Sequence, residues 1–330
     1  MDWNPAELLK LSGSYWNTCT LHAGVKLDLF TRLSDRQLTA AELAAELQIQ
    51  PRGLAMLLDA LSAMELLVKQ GDDYRATPSA GKFLNSSSPA YLGHIINHHQ
   101  HLVEYWSHLD VAVREGAPVR ERISHQPSEA ERESFLMGMF NLAMLHAPKL
   151  AEAVDLAGHQ RLLDLGGGPG TYAIHFCQQT PGLEAVIFDL PTTRPFAEQT
   201  VASFGLSERI SFAAGDFTRD PLPGRFDVVW ISQVLHGEGP ESCARLVAKA
   251  AEALEPGGLL LVQEFILAAE RDAPLFPALF SLNMLLGTPE GQSYSEPELA
   301  GMLRAAGLED VKRIPMEAPQ GVGIMVGRKP

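Results

Sequence analysis

From residue 160 onward, short apolar runs alternate with helical stretches, and each run stops at a polar residue. Arg161-Leu162-Leu163-Asp164-Leu165 leads into Gly166-Gly167-Gly168-Pro169-Gly170. Ala185-Val186-Ile187-Phe188 ends in Asp189, and residues 210–213 end in Gly215-Asp216-Phe217. Residues 226–231 end in Ser232, and Leu259-Leu260-Leu261-Val262 ends in Gln263-Glu264. Continuous apolar strands separated by helices imply a mostly parallel, Rossmann-like sheet with helices on both faces. Ligands of such sheets bind beyond the carboxyl ends of the strands. Asp164, Asp189, Asp216, Ser232 and Glu264 all fall there, and their coincidence says more than any single motif.

The glycine loop narrows the ligand. A dinucleotide fingerprint needs a glycine three positions after the second glycine. Here that position is Thr171 or Ala173, so the pattern is G-x-G-x-G. No Gly-Lys-Ser/Thr follows, which excludes a Walker-type phosphate cradle. Asp189 lies 19 residues beyond Gly170, where an acidic side chain takes ribose hydroxyls. Asp216 and Phe217 suit an adenine, with a carboxylate for its amine and a ring for stacking. An adenosine ligand without a pyrophosphate points to S-adenosyl-L-methionine.

The first half of the chain reads differently. Residues 5–33 have helical spacing. Thr39 and Glu42 form a capping box at the start of a helix. A turn at Gln50-Pro51-Arg52-Gly53 leads to a second helix, then to a hairpin around Gly71-Asp72-Asp73. Helix, turn, helix and hairpin is a winged-helix arrangement, which can bind DNA or serve as a packing module. Charge decides. Residues 39–78 carry Arg52, Lys69 and Arg75 against Glu42, Glu46, Asp59, Glu65, Asp72 and Asp73, a net of −3. The whole chain of 330 residues carries −14. A phosphate-binding face needs the opposite sign.

Residues 90–150 read as helical. His94, His98, His99 and His101 share helical spacing but have one nearby carboxylate, Glu104, and no cysteine; no metal is expected. Met139, Phe140, Met144 and His146 form a soft stripe suited to a flat apolar substrate.

The motif Asp164-Leu165-Gly166-Gly167-Gly168-Pro169-Gly170, with Phe188-Asp189-Leu190-Pro191, Gly215-Asp216-Phe217 and the segment around His236, resembles the small-molecule O-methyltransferases of the caffeic acid, acetylserotonin and bacterial antibiotic type. The resemblance covers nearly the whole chain. It implies an N-terminal, all-helical, winged-helix-like dimerisation domain (residues 1–95). A helical connector and an S-adenosyl-L-methionine-binding catalytic domain follow (residues 96–330). It implies cofactor contacts at Gly166, Gly168, Gly170, Asp189, Leu190, Asp216, Phe217 and Ser232. It places a general base at His236 and its orienting carboxylate at Glu264, 28 positions later. The substrate pocket is expected from Met139, Phe140, Met144, His146, Phe280 and Met284.

Two positions depart from the family pattern. His236 is followed by Gly237-Glu238-Gly239, not Asp or Asn and then Trp. Ser293 stands where a second glutamate is common, which leaves Glu238 and Glu290 as other carboxylates near the base. The expected reaction is methylation of a hydroxyl, phenolic in type, on a small aromatic metabolite by a homodimeric enzyme. The alternatives are carbon, nitrogen or sulfur acceptors, and a regulator that senses S-adenosylmethionine. A dinucleotide oxidoreductase lacks its glycine. The longest apolar stretch, residues 273–286, is interrupted by Pro274 and Pro277 and is too short to span a bilayer. No basic segment followed by an apolar one opens the sequence, and three scattered cysteines suggest reduced thiols, so a cytoplasmic location is expected.

Overall fold

The computed structural model describes residues 3–121, 129–316 and 318–330. The chain divides into two compact units. The first comprises residues 1–103 and 133–141; the second comprises residues 104–132 and 142–330.

The first unit is mainly helical. The expected run over residues 5–33 breaks into Pro5–Ser12, Tyr15–Lys26 and Leu29–Arg32. Gly13 and Asp28, the latter with φ 53°, interrupt it. Thr39 and Glu42 cap the helix Ala40–Leu47 reciprocally. Helix Pro51–Ala63 follows, and three strands form an antiparallel sheet in the order β1-β3-β2. They are β1 (Leu38–Thr39), β2 (Leu67–Gln70) and β3 (Asp73–Ala76). Gly71, at φ 62°, turns the β2–β3 hairpin. Leu43, Leu54, Leu58, Leu61, Phe30 and Tyr74 fill the core. A Cβ on Gly138 would stand 3.1 Å from Ile95 Cα, so this glycine lets the helices Glu129–Glu152 and Gly93–Trp106 approach backbone to backbone.

The helical reading of residues 90–150 is broken twice. Gly93–Trp106 stops at Ser107, and Leu109–Glu115 stops at Gly116, a left-handed cap with φ 62°. Glycine takes that conformation without a Cβ clash.

The second unit is built on a seven-stranded sheet. Its strands are β4 (Arg161–Leu165), β5 (Glu184–Asp189), β6 (Ile210–Ala214), β7 (Phe226–Ser232), β8 (Leu254–Phe265), β9 (Glu309–Arg313) and β10 (Val322–Arg328). The order is β6-β5-β4-β7-β8-β10-β9, with β4 to β8 parallel. β10 runs antiparallel between β8 and β9.

The period of two along each strand sorts side chains onto two faces. Leu163, Leu165, Val229, Ile231, Leu260 and Val262 pack with helices Pro240–Glu252 and Glu296–Ala305. Leu162, Val228, Trp230 and Leu261 pack with helices Thr171–Gln179 and Arg194–Ser203. Five expected strands are present. β9 and β10 lay outside that reading: β9 is mostly charged and exposed, and β10 is a short apolar run broken by Gly323 and Gly327. β8 starts earlier than its apolar stretch, with a register shift across Pro256-Gly257-Gly258.

Candidate active site

The strand order reverses direction between β4 and β7, and sheets of this kind take their ligands beyond the carboxyl ends of the strands at that point. The loop after β4 is shaped by glycine. Gly166, Gly168 and Gly170 take φ 71°, 53° and 82°, a region that favours glycine. A Cβ on Gly166 would lie 2.6 Å from Val234 Cγ2. Gly170 caps the N-terminus of helix Thr171–Gln179.

Asp189, at the end of β5, ties the loop down. Its Oδ2 accepts from Gly168 N–H at 2.8 Å; its Oδ1 accepts from Leu190 N–H at 2.7 Å and from the Thr193 hydroxyl at 3.1 Å. Burial raises this carboxyl, and those hydrogen bonds work against the rise. A carboxylate has about four lone-pair positions, so acceptor capacity remains for a ligand hydroxyl.

Asp164, beneath the loop, is fully buried. Its Oδ2 accepts from Ala173 N–H at 3.2 Å, and its Oδ1 is buried without a partner. Burial pushes its pKa up to about 7. Above the ordinary value of 3.8 the unfolded chain gives up this proton while the folded chain keeps it. The folded state therefore binds more protons, and stability falls as pH rises towards 7. An Asp164→Asn chain should lose less stability than wild type between pH 4 and 7, as read from urea midpoints; parallel curves would refute this.

After β6, the Asp216 carboxylate accepts from Thr218 N–H at 2.9 Å and lies 3.7 Å from Arg219 Nε. Phe217 is half-buried beside Gly166, and its carbonyl accepts from Lys249 Nζ at 2.8 Å. At the end of β7, the Ser232 hydroxyl donates to Gln263 Oε1 on β8.

The next residue, Gln233, is a non-glycine at φ 56°, and its N–H donates to Gln263 O at 2.9 Å. Strained backbone of this kind persists only where the surroundings impose it. It leads into the single turn Leu235–Gly237, which carries His236. Glu264 holds His236 twice. One oxygen accepts from the His236 backbone N–H at 3.3 Å, and the other lies 2.8 Å from Nδ1. Glu264 is buried, and the imidazole is 15% exposed. With Nδ1–H donated to Glu264, the neutral ring keeps its lone pair on Nε2.

An aromatic cluster adjoins the imidazole. Phe280 meets it edge-on at 4.8 Å between centroids. Phe265 lies 4.9 Å from Phe280 and 4.8 Å from Phe276. Sequence reasoning singled out Phe280 and missed Phe265, which directly follows Glu264 and therefore shares its strand end. It also missed Asn283, one turn past Phe280 on helix Leu275–Gly287, whose Oδ1 is buried without a partner. Met284 is buried on the same helix. Met139, Phe140, Met144 and His146 are half-buried on helix Glu129–Glu152; the first two belong to the first unit and the last two to the second.

Of the other carboxylates near the base, Glu290 folds over Gly239. Glu238 presents its carbonyl to the Tyr294 hydroxyl at 2.6 Å. Ser293 is buried, its N–H donates to Ser281 Oγ at 3.0 Å, and its own Oγ has no partner. In the first unit, burial lowers His94 and His99. His98 packs 5.4 Å from Phe135.

Residues 106–309 match the model of the O-methyltransferase domain, and residues 9–86 match the O-methyltransferase dimerisation domain. The chain belongs to the O-methyltransferase family. The 3-hydroxy-5-methyl-1-naphthoate 3-O-methyltransferase of Streptomyces sahachiroi is 34% identical over 98% of this chain and 95% of that protein. The tetracenomycin polyketide synthesis 8-O-methyl transferase of Streptomyces glaucescens is 34% identical over 99% and 97%. The crystal structure of human N-acetylserotonin methyltransferase in complex with SAM superposes with a TM-score of 0.88 at 28% identity, covering 100% of this chain and 98% of that one.

This O-methyltransferase is S-adenosylmethionine-dependent. Its site fits that molecule on two counts: the loop after β4 is kept clear of side chains by three left-handed glycines, and Asp189 retains acceptor capacity at the end of β5. Among the described residues, no helix is long and apolar enough to cross a membrane.

Proposed function

We propose that the enzyme methylates a phenolic hydroxyl of a small aromatic metabolite, with His236 as the general base and Glu264 as the residue that orients it. The hydrogen-bonded His236–Glu264 pair at the strand ends carries this reading. Bound S-adenosylmethionine supplies an electrophilic methyl group on a sulfonium. Gly166, Gly168, Gly170, Asp189, Leu190, Asp216, Phe217 and Ser232 are its proposed contacts. His236 Nε2 accepts the hydroxyl proton as the oxygen attacks, and Glu264 stabilises the imidazolium that results. Phe265, Phe276 and Phe280 give a planar substrate aromatic surfaces to pack on. The relative from Streptomyces sahachiroi is named for a hydroxylated aromatic acceptor, which supports this substrate class. Incubation with labelled S-adenosylmethionine and a panel of phenols, anilines and thiols tests the reading. Label is expected on phenolic oxygen, and transfer confined to nitrogen or sulfur would overturn it.

The enzyme is also proposed to act as a homodimer through its N-terminal helices. Helix Pro5–Ser12 buries none of its residues. Leu8, Leu9, Leu11, Tyr15 and Trp16 are all exposed. So short a helix is not stable alone in water, and an apolar face of this size calls for a partner. The Leu9→Glu, Trp16→Glu double variant should sediment as a monomer. A dimer unchanged at micromolar concentration would refute this surface.

A further inference from the structure

The proposed mechanism leaves Arg120, a half-buried cation, unused. Arg120 follows the helix Leu109–Glu115, and the N–H groups of Val119 and Arg120 both donate to Leu286 O, at 3.1 and 3.2 Å. These bonds fasten the segment to the last turn of helix Leu275–Gly287. The Arg120 side chain then runs across Gly287, where any Cβ would overlap the guanidinium. Its guanidinium carbon lies 5.8 Å from the centre of the Tyr105 ring.

This guanidinium is poorly compensated. Burial lowers its pKa. Nη1 donates to Glu121 O at 3.3 Å, and Nε is buried with no partner. Among the described residues, no carboxylate stands within ion-pair distance of it. A partly desolvated charge with no counter-charge among the described residues is costly, and a guanidinium fork matches a carboxylate in two parallel bonds. The nearby helix C-terminus offsets part of the cost through its dipole. That end presents single carbonyls, however, and does not fill the fork.

Its position gives the charge a use. Phe280 and Gly287 are seven residues apart on one helix, which puts them on the same face and about 10 Å apart along the axis. Phe280 is the ring that meets His236. Arg120 therefore lies on the face that adjoins the proposed base, two turns further on.

We infer that Arg120 is a specificity-determining residue that receives a carboxylate of the substrate. The preferred acceptor is a fused-ring aromatic acid whose acid group and reacting hydroxyl lie at opposite ends of the ring system. This deepens the proposed function and rests on its aromatic-hydroxyl reading.

The test uses the full-length enzyme and three acceptors: a hydroxynaphthoic acid with its two groups on opposite rings, its methyl ester, and the parent naphthol. Wild type should favour the acid over the ester in kcat/KM. In Arg120→Gln that preference should fall at least about tenfold, mostly through KM, as for a lost charge-assisted hydrogen bond. Arg120→Lys should restore part of it. The ester reports any general damage to the helix end, because it needs no cation. Equal losses on acid and ester, or no acid preference in wild type, would overturn the inference while leaving the methyltransferase reading intact. Failure to methylate any of the three, with no S-adenosylhomocysteine binding by calorimetry, would remove that reading and the inference with it.

Discussion

Replacing His236 by alanine is expected to lower kcat at neutral pH by about 10²–10⁴-fold, the usual worth of a positioned general base, while the affinity for S-adenosylhomocysteine stays nearly unchanged. The size follows from proton chemistry. A phenol with a pKa near 10 is about one part in a thousand phenolate at pH 7. A variant without the imidazole must wait for that fraction. Its rate should therefore climb with pH up to the substrate's own pKa. Both turnover and its pH profile are readable in one methyl-transfer assay. Turnover retained at neutral pH would take His236 out of the mechanism. Glu264 explains why the effect resides in this histidine: it fixes both the backbone N–H and Nδ1 of the residue, so the imidazole is already aimed before substrate arrives.

Asp189→Ala is expected to weaken S-adenosylhomocysteine binding by about 10²-fold or more. It removes the acceptor for Gly168 N–H, Leu190 N–H and the Thr193 hydroxyl. Each unmet donor costs roughly 1–3 kcal/mol, and a proposed ligand contact is lost as well. Two such losses already exceed the about 1.4 kcal/mol of a tenfold change. Asp189→Asn keeps the shape and part of the acceptor capacity, so it should fall between wild type and alanine. Isothermal titration measures all three proteins. Undiminished affinity in both variants would place the cofactor elsewhere.

The parallel part of the second unit was legible because its strands are buried on both faces and read as continuous apolar runs. Val228, Val229, Trp230 and Ile231 are all fully buried. β9 was not legible, since Glu309, Asp310 and Lys312 leave only Val311 and Arg313 partly covered. The glycine loop, Asp189 and Glu264 could be located from the apolar runs that precede them, whereas His236, on a turn past the end of β7, was reached only through the family resemblance. Phe265 and Asn283 depend on which way a face points, and Arg120 on a contact with Gly287 across a long sequence separation. No local pattern announces such a contact. The His94-His98-His99 run shows the reverse: a periodic signal of which only His98 is buried, where it packs against Phe135.

The antiparallel β10 has a bearing on synthesis. Glu264 belongs to β8, and its partner across the sheet is Gly323. As the chain leaves the ribosome, β7 is already available to one edge of β8, but the other edge waits for a strand made much later. Until then Leu259, Leu260, Leu261 and Val262 present an open, apolar border of the kind that recruits foreign strands. The carboxylate that aims the histidine lies on that same unfinished strand. Activity should thus appear only when the last strand has zipped in, and a nascent chain halted before residue 322 would be both inert and prone to aggregate.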